Sequence, residues 1–395
     1  MKKSKKRKED PKLMEFIPES LEYYIKTYYS TFYPSDLIVK WLSYGKRRFC
    51  FANLLINREV AFILKDDRHL RYLSFSNLQE FKQKLIHTNP FKIDVGAVYN
   101  RPPQDKNKVG DFYPVERELI FDIDLPEYDS IRNCCRGALI CHKCWRWIII
   151  AVKVLNLLLR GQFAFKHLLW VFSGGKGIHC WVADREARLL NNKAREAVKN
   201  YFKIQGNENS VINKYRVHPM AEIVFRCILD SGEFENLIYE QGWLDTQEEW
   251  SKILKLCTDV EMREIMDREF GRVNTPQERW ELITMRFDQI KRAKIKEEDP
   301  EIKLPPVPNE LSINFLRLFV LEYAYPRLDE NVTTGINHLL KAPFTVHPKT
   351  GFIAVPLNFE EITDSTINLN ELPRVDKLVQ NGTSLSKYLK EFKKD

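Results

Sequence analysis

The segment Glu118-Leu-Ile-Phe-Asp-Ile-Asp-Leu125 alternates with a period of two, which reads as a β-strand. Leu119, Phe121, Ile123 and Leu125 fall on one face. Glu118, Ile120, Asp122 and Asp124 fall on the other. Residues two apart share a face, so Asp122 and Asp124 project together about 6–7 Å apart at Cα. Two carboxylates facing one way repel unless a cation sits between them, and hard divalent metals favour oxygen ligands. Phe121 and Ile123 would anchor the strand in a core and hold the pair rigidly. A solvated strand face carries the same pattern, so Asp-x-Asp alone does not choose between the two.

The next segment narrows the chemistry. Cys134-Cys135…Cys141-His-Lys-Cys144 holds four of the eight cysteines within eleven residues. Four thiolates so spaced suit a closed tetrahedral Zn²⁺ site, with His142 as a possible substitute ligand. A site with only thiolate ligands leaves no open position, so it reads as structural, holding the loop that follows the aspartate pair. Incidental thiols are the plain alternative.

Further along comes Ser173-Gly-Gly-Lys-Gly-Ile-His179, of which Ser173–Gly177 joins two strands, Leu168–Phe172 and Ile178–Val182. It fails the P-loop pattern because Gly177 follows Lys176 and a strand follows the loop. Its glycines still let backbone amides approach a phosphate. Lys176 adds charge, and His179 could donate to a phosphate oxygen. A Gly-rich hairpin with a surface lysine is the alternative. Arg327-Leu-Asp329, Lys341 and His347 supply a third carboxylate and further cations, if the fold brings them to the first pair.

The chain of 395 residues leaves room for two or three domains, or for one core with a large insertion. Residues 14–44 read as two helices broken at Pro34. Strands are expected at Phe49–Leu55, Ala61–Leu64, Tyr72–Phe75 and Ile93–Tyr99, and an apolar helix at 145–160. From 185 to 300 helical periodicity dominates. Thr275-Pro-Gln-Glu278 makes a helix start, and Trp280, Ile283, Phe287 and Ile290 form a core-facing stripe. Pro300–Glu310 reads as a linker, 311–324 as a helix, and 361–395 as a tail without assignment. The expected division is a basic tail at 1–13, a core at 14–184 and 311–360, and a helical insertion at 185–300.

The net charge of +8 permits a polyanionic partner without demanding one. Lys2–Lys8 is a basic run that suits nuclear import, a phosphate-binding arm or a disordered tail. The longest apolar run, Trp147–Leu159, is broken by Lys153 and Asn156 and is too short to span a bilayer. Neither a signal peptide nor a secreted cysteine framework is evident, so a reducing intracellular compartment is expected.

Taken together, six segments resemble the archaeo-eukaryotic primase family, in its eukaryotic small-subunit branch, and in that family's order. They are Phe32-Tyr-Pro…Trp41-Leu-Ser-Tyr-Gly45, Lys65-Asp-Asp-Arg-His-Leu-Arg-Tyr-Leu-Ser-Phe75, Lys92-Ile-Asp-Val-Gly-Ala-Val-Tyr99, Glu118–Asp124, Ser173–Val182 and Pro326–Gly351. The resemblance implies an α/β (α+β) primase catalytic core with an inserted all-helical subdomain and a small zinc-binding knuckle. It implies that Asp122, Asp124 and Asp329 hold two catalytic Mg²⁺ or Mn²⁺ ions. It further implies that Ser173, Lys176, His179, Lys341 and His347 contact an incoming triphosphate. Arg58 matches an arginine near the active site, and Asp94 an acidic position associated with the ribose 2′-hydroxyl. Cys134, Cys135, Cys141 and Cys144 match the zinc knuckle, with one structural Zn²⁺.

The implied activity is synthesis of short RNA primers from rNTPs on single-stranded DNA by two-metal nucleotidyl transfer during DNA replication. The implied partners are an iron–sulfur large subunit and the replicative polymerase α complex, in the nucleus. The resemblance carries a departure: animal relatives commonly read Ser-Gly-Arg-Arg-Gly where Gly175 and Lys176 stand here. Lysine is a point charge without arginine's fork, so one phosphate contact is lost and another weakened. Two rival functions follow from the same fold: an inactive nucleic-acid-binding assembly subunit, and a primase-polymerase that prefers dNTPs.

Overall fold

The computed structural model describes residues 16–44, 51–108, 110–203, 218–285, 313–382 and 384–394. The tail 1–13 with its basic run, the linker Pro300–Glu310 and the stripe residues Phe287 and Ile290 lie outside the described residues.

The α-helices α1 (Leu21–Thr27), α2 (Ser35–Leu42) and α3 (Phe51–Ile56) precede the first strand, and α4 (Leu78–Thr88) lies between the second strand and the third. The break at Pro34 is present, since Pro34 leads directly into α2. Of the strand expected over Phe49–Leu55, residues 49 and 50 lie outside the described residues and 51–55 belong instead to the helix α3; the strand starts after it at Arg58. Ala52, Leu54 and Leu55 are ready helix formers, and the β-rich run begins only at Glu59-Val-Ala-Phe.

Two antiparallel sheets follow. In the first, β1 (Arg58–Ile63), β2 (His69–Leu73), β3 (Lys92–Tyr99) and β4 (Pro114–Glu116) run in the order β2-β1-β3-β4. The second has β5 (Leu119–Asp124), β6 (Leu168–Phe172) and β7 (Gly177–Val182) in the order β5-β7-β6. A late short strand, β8 (Leu340–Lys341), returns to pair with β3. The alternation of β5 does not leave one face in water: Glu118 and Ile120 are as buried as Leu119 and Phe121. Its polar face is covered by other parts of the chain, and only Asp122 and Asp124 keep partial access.

Helix α5 (His142–Gly161) buries residues all round, including Trp145, Trp147, Ile148, Ile150 and Leu155. A helix apolar on every side belongs inside a core. Trp145 meets Phe172 of β6 at 6.1 Å between ring centroids. On another side Trp147 donates to the Tyr323 carbonyl at 2.8 Å.

Among the described residues between 185 and 285 there are helices and loops but no strand. These helices are α6 (Arg185–Arg188), α7 (Asn192–Phe202), α8 (Pro219–Asp230), α9 (Glu233–Gln241), α10 (Gln247–Leu254), α11 (Val260–Phe270) and α12 (276–285). The start of α12 is a reciprocal capping box: Glu278 N–H donates to Thr275 Oγ1 at 3.2 Å, and Thr275 N–H donates to Glu278 Oε2 at 2.9 Å. Helices α13 (Ile313–Ala324), α14 (Glu330–Thr334), α15 (Phe359–Thr363), α16 (Val375–Asn381) and α17 (Ser386–Phe392) complete the chain. The segment after 360, unassigned from sequence, packs onto the core. Val375 and Leu378 are buried, and Phe392 meets Trp41 at 5.7 Å and Phe344 at 5.3 Å. No helix among the described residues is long and apolar enough to cross a membrane.

Candidate active site

Strand pairing builds the site. Along β5 and β7, Asp122 lies opposite His179 and Asp124 opposite Gly177. The turn from β6 into β7 is organised by Ser173, whose Oγ accepts from the N–H groups of Gly175 at 3.3 Å and Gly177 at 3.2 Å. Gly174 sits at φ +75°, a conformation open to glycine at little cost. Lys176 reaches back across the turn, its Nζ 2.9 Å from Asp124 Oδ2.

The third carboxylate arrives from the far side of the sequence. Leu328 bridges to Ile123, and Asp329 N–H donates to the Asp122 carbonyl at 3.1 Å. Asp329 also caps α14, its Oδ1 accepting from Asn331 N–H at 2.9 Å. From the other sheet, β8 sets Lys341 opposite Asp94 on β3. Lys341 Nζ then donates to the Ser173 carbonyl at 2.7 Å, which ties the two sheets together at the site.

Asp122, Asp124, Asp329, Ser173, Lys176, His179, Lys341 and His347 all line one cavity of about 250 Å³. Lys92 and His338 line it too, and sequence reasoning did not single them out. The spacing of Lys92 and Asp94 on one strand face was the available signal; Lys92 Nζ stands 3.0 Å from Asp94 Oδ2. Two expected residues do not line the cavity. Asp94 is buried behind Lys92. Arg58 is wholly buried and forked onto Glu118, with N–O distances of 2.6 and 3.2 Å, and its Nη1 donates to Tyr44 Oη at 2.7 Å. Gly175 also has a local role: a Cβ there would stand 3.0 Å from His347 Nε2, so glycine lets that imidazole close on the loop.

The electrostatics suit a cation-binding, phosphate-binding cleft. Burial, then the charges of Asp124 and Asp329, hold the Asp122 carboxyl well above the usual carboxylate range. Burial with Lys341 and Lys92 nearby pushes His179 and His347 down to about 3, so both imidazoles are neutral at pH 7. Burial, reinforced by Lys92, brings Lys341 down to about 7. Asp122 Oδ1 and the Nδ1 atoms of His179 and His347 are buried without a hydrogen-bond partner. The three carboxylates are not drawn together in a tight cluster: Asp124 turns to Lys176 and Asp329 to its own helix. Like charges repel, and a divalent cation beside the unpartnered Asp122 Oδ1 would offset that repulsion.

A second cluster follows β5 in the chain. The sulfurs of Cys134, Cys135, Cys141 and Cys144 all lie within 4.8 Å of one another, with Cys141 and Cys144 3.9 Å apart. A tetrahedron with Zn–S bonds of about 2.3 Å has edges of about 3.8 Å, so this group could hold zinc. Among the described residues it is the one set of three or more His, Cys, Asp or Glu ligand atoms so close together. Gln241 of α9 joins it to the helices, donating to Cys134 Sγ at 3.4 Å and accepting from Asn133 N–H at 2.8 Å.

Residues 121–359, which include all of the cavity's carboxylates, match the family model described as DNA primase small subunit. The chain belongs to the DNA primase small-subunit family. The small subunit of DNA primase from Caenorhabditis elegans is 42% identical over 367 residues, spanning 91% of this chain and 87% of its own length. The Saccharomyces cerevisiae small subunit is 33% identical over 341 residues, covering 84% of this chain and 80% of the relative. The likeness extends to archaea, where the primase small subunit of Picrophilus torridus is 24% identical over 85% of this chain. The mixed helix and sheet architecture is thus that of a primase small subunit, with the cavity inside the matched region.

Proposed function

We propose that this chain is the catalytic subunit of a DNA primase, a DNA-directed RNA polymerase that joins rNTPs into short primers on single-stranded DNA during replication. The observation that carries this reading is the convergence of Asp122, Asp124 and Asp329, held by the main-chain bond from Asp329 to Asp122. Those three carboxylates are the ones suited to hold two Mg²⁺ or Mn²⁺ ions. When bound, such ions supply Lewis acidity at a primer 3′-hydroxyl and neutralise a triphosphate and its leaving pyrophosphate.

The chain's own residues do the positioning. Lys176 and Lys341 offer positive charge to the triphosphate, and the turn at Ser173–Gly177 offers those backbone amides not already bonded within it. His179 and His347, neutral at pH 7, donate single hydrogen bonds to phosphate oxygens without adding charge. Asp94, with Oδ1 buried and unpartnered beneath Lys92, is the candidate for sensing a ribose hydroxyl from the cavity's edge. Arg58 acts on this site from behind, through its pair with Glu118 at the head of β5.

The four cysteines would hold one structural Zn²⁺, and residues 185–300 would form an inserted helical subdomain on a core built from 14–184 and 311–360. The relatives' description as small subunits supports a large subunit as partner. We assign that partner as the iron–sulfur subunit, in a nuclear complex with polymerase α. The test is direct. Template DNA, rNTPs and Mn²⁺ or Mg²⁺ should yield short RNA, and Asp122→Ala should abolish it with the fold intact. Full activity in that variant would refute the assignment.

A further inference from the structure

A second cavity, of about 390 Å³, opens on the same sheet face, two residues along β7 from His179. Trp181 forms its floor together with Trp41 and Phe392, and Trp41 stands 5.2 Å from Trp181 and 5.7 Å from Phe392. Its rim carries Lys40, Arg185 and Lys393, all exposed, and no carboxylate among the described residues lines it. It shares no lining residue with the aspartate cavity.

The inner wall is built for an acceptor. Arg188 is only 6% exposed, yet it lines this cavity, and its Nε and Nη1 make no hydrogen bond. Its guanidinium stands 3.5 Å over the Tyr44 ring, and Nη1 forms an ion pair with Glu116 Oε2 at 3.4 Å, which leaves Nε as the donor without a partner. Trp181, fully buried, leaves Nε1 without a partner as well. Behind this wall Arg58, Arg117, Arg188 and Arg195 are buried; among the described residues Arg58 pairs with Glu118 and Arg188 with the half-buried Glu116, and Arg117 and Arg195 form no ion pair. Surplus buried positive charge and unmade donors favour an anion at that point.

We propose that this cavity is a second nucleotide site, which binds a nucleoside phosphate with its phosphate on Arg188 and its base against Trp41 and Phe392. Inorganic phosphate would satisfy the donors but leave the apolar floor wet. An apolar molecule would cover the floor but leave the donors unmade. The volume suits one small ligand. The rim cations steer the anion in.

The experiment titrates AMP and GMP into the full chain in EDTA and follows tryptophan fluorescence, since no tryptophan lines the aspartate cavity. Saturable quenching is expected. The exposed double variant Lys40→Glu/Arg185→Glu should weaken it about tenfold or more. Ala183→Leu, which fills the cavity, should abolish it. Lys176→Ala in the catalytic loop should leave it within about twofold. A flat titration overturns the proposal, as does equal loss in Lys176→Ala or no loss in the rim variant. Inorganic phosphate binding as tightly as AMP would make this a plain anion site, and tighter binding of an acidic aromatic peptide would make it a protein-docking pocket; either result also overturns it.

Discussion

Asp329 N–H donates to the carbonyl of Asp122 at 3.1 Å, so the third carboxylate is joined through the main chain to the first. The same Asp329 side chain caps α14. These two roles can be separated. Asparagine caps a helix about as well as aspartate but carries no charge. Asp329→Asn should therefore keep the melting temperature and lower primer synthesis by at least about 100-fold. Asp329→Ala should lower both. Thermal denaturation beside a primer-synthesis assay separates the outcomes, and an active Asp329→Asn would remove this residue from catalysis.

Asp122 gives a prediction with the opposite sign for stability. Its carboxyl is raised in the fold by burial first, then by Asp124 and Asp329. A carboxyl raised in the folded state destabilises the protein when ionised, and that cost is relieved as pH falls through the folded value. Without divalent metal, Asp122→Asn should then melt at least about 2 °C higher than the parent near pH 7, with the gap closing as pH is lowered. Mg²⁺ or Mn²⁺ should stabilise the parent and not the variant. An equal metal response in both would count against Asp122 as a ligand.

At Gly177 the β5–β7 ladder leaves no room for a side chain. A Cβ there would run into the Ile123 carbonyl oxygen and lie 2.6 Å from Asp124 Oδ1. Gly177→Ala should push Asp124 out of place, costing roughly 1–3 kcal/mol of stability and most of the activity. Urea denaturation and a nucleotide KM measurement would register both effects.

The buried pair Arg58–Glu118 has no exposed atom on either side chain. Removing one partner leaves an uncompensated charge, so Glu118→Ala should cost about 3–5 kcal/mol, while Arg58→Met with Glu118→Leu should recover much of it. Burial opposes ionisation of Glu118, but Arg58 outweighs it and the net shift is downward. The pair's contribution is accordingly present above the ordinary glutamate value and lost as pH falls through the lowered one. The double variant should flatten that acid limb in a pH-dependent melting series.

The four-cysteine group should bind one zinc per chain, measurable by elemental analysis and lost in Cys144→Ser. Cys144 Sγ accepts from Cys141 N–H at 3.2 Å at the start of α5, and Gln241 extends the link to α9. Chelation should therefore loosen the N-terminal turn of α5 and the Gln241 contact together. Hydrogen exchange would report the two as one event, with protection at the far end of α5 unchanged.

Much of this was readable along the chain because it is local. Alternation at 118–125 encodes a strand, and the i, i+2 rule sets Asp122 and Asp124 on one face. Cysteine spacing gathers four sulfurs, and glycines at 174, 175 and 177 encode the turn. Thr275 and Glu278 spell out a capping box. Each depends on neighbours within a few residues, where geometry is nearly forced. At 51–55 the same approach failed, since a short apolar run suits helix or strand alike.

Sequence by itself thus determined the aspartate pair, the cysteine group, the phosphate-type loop and the primase resemblance. Tertiary structure alone decided that Asp329 lands beside Asp122, that Lys92 and His338 enter the cavity, and that Arg58 is locked onto Glu118. It also decided that the segment after 360 folds back to set Phe392 on Trp41. Those outcomes rest on pairing between distant strands and on burial of apolar surface shared by the whole core. Neither leaves a periodic mark in the residues it brings together.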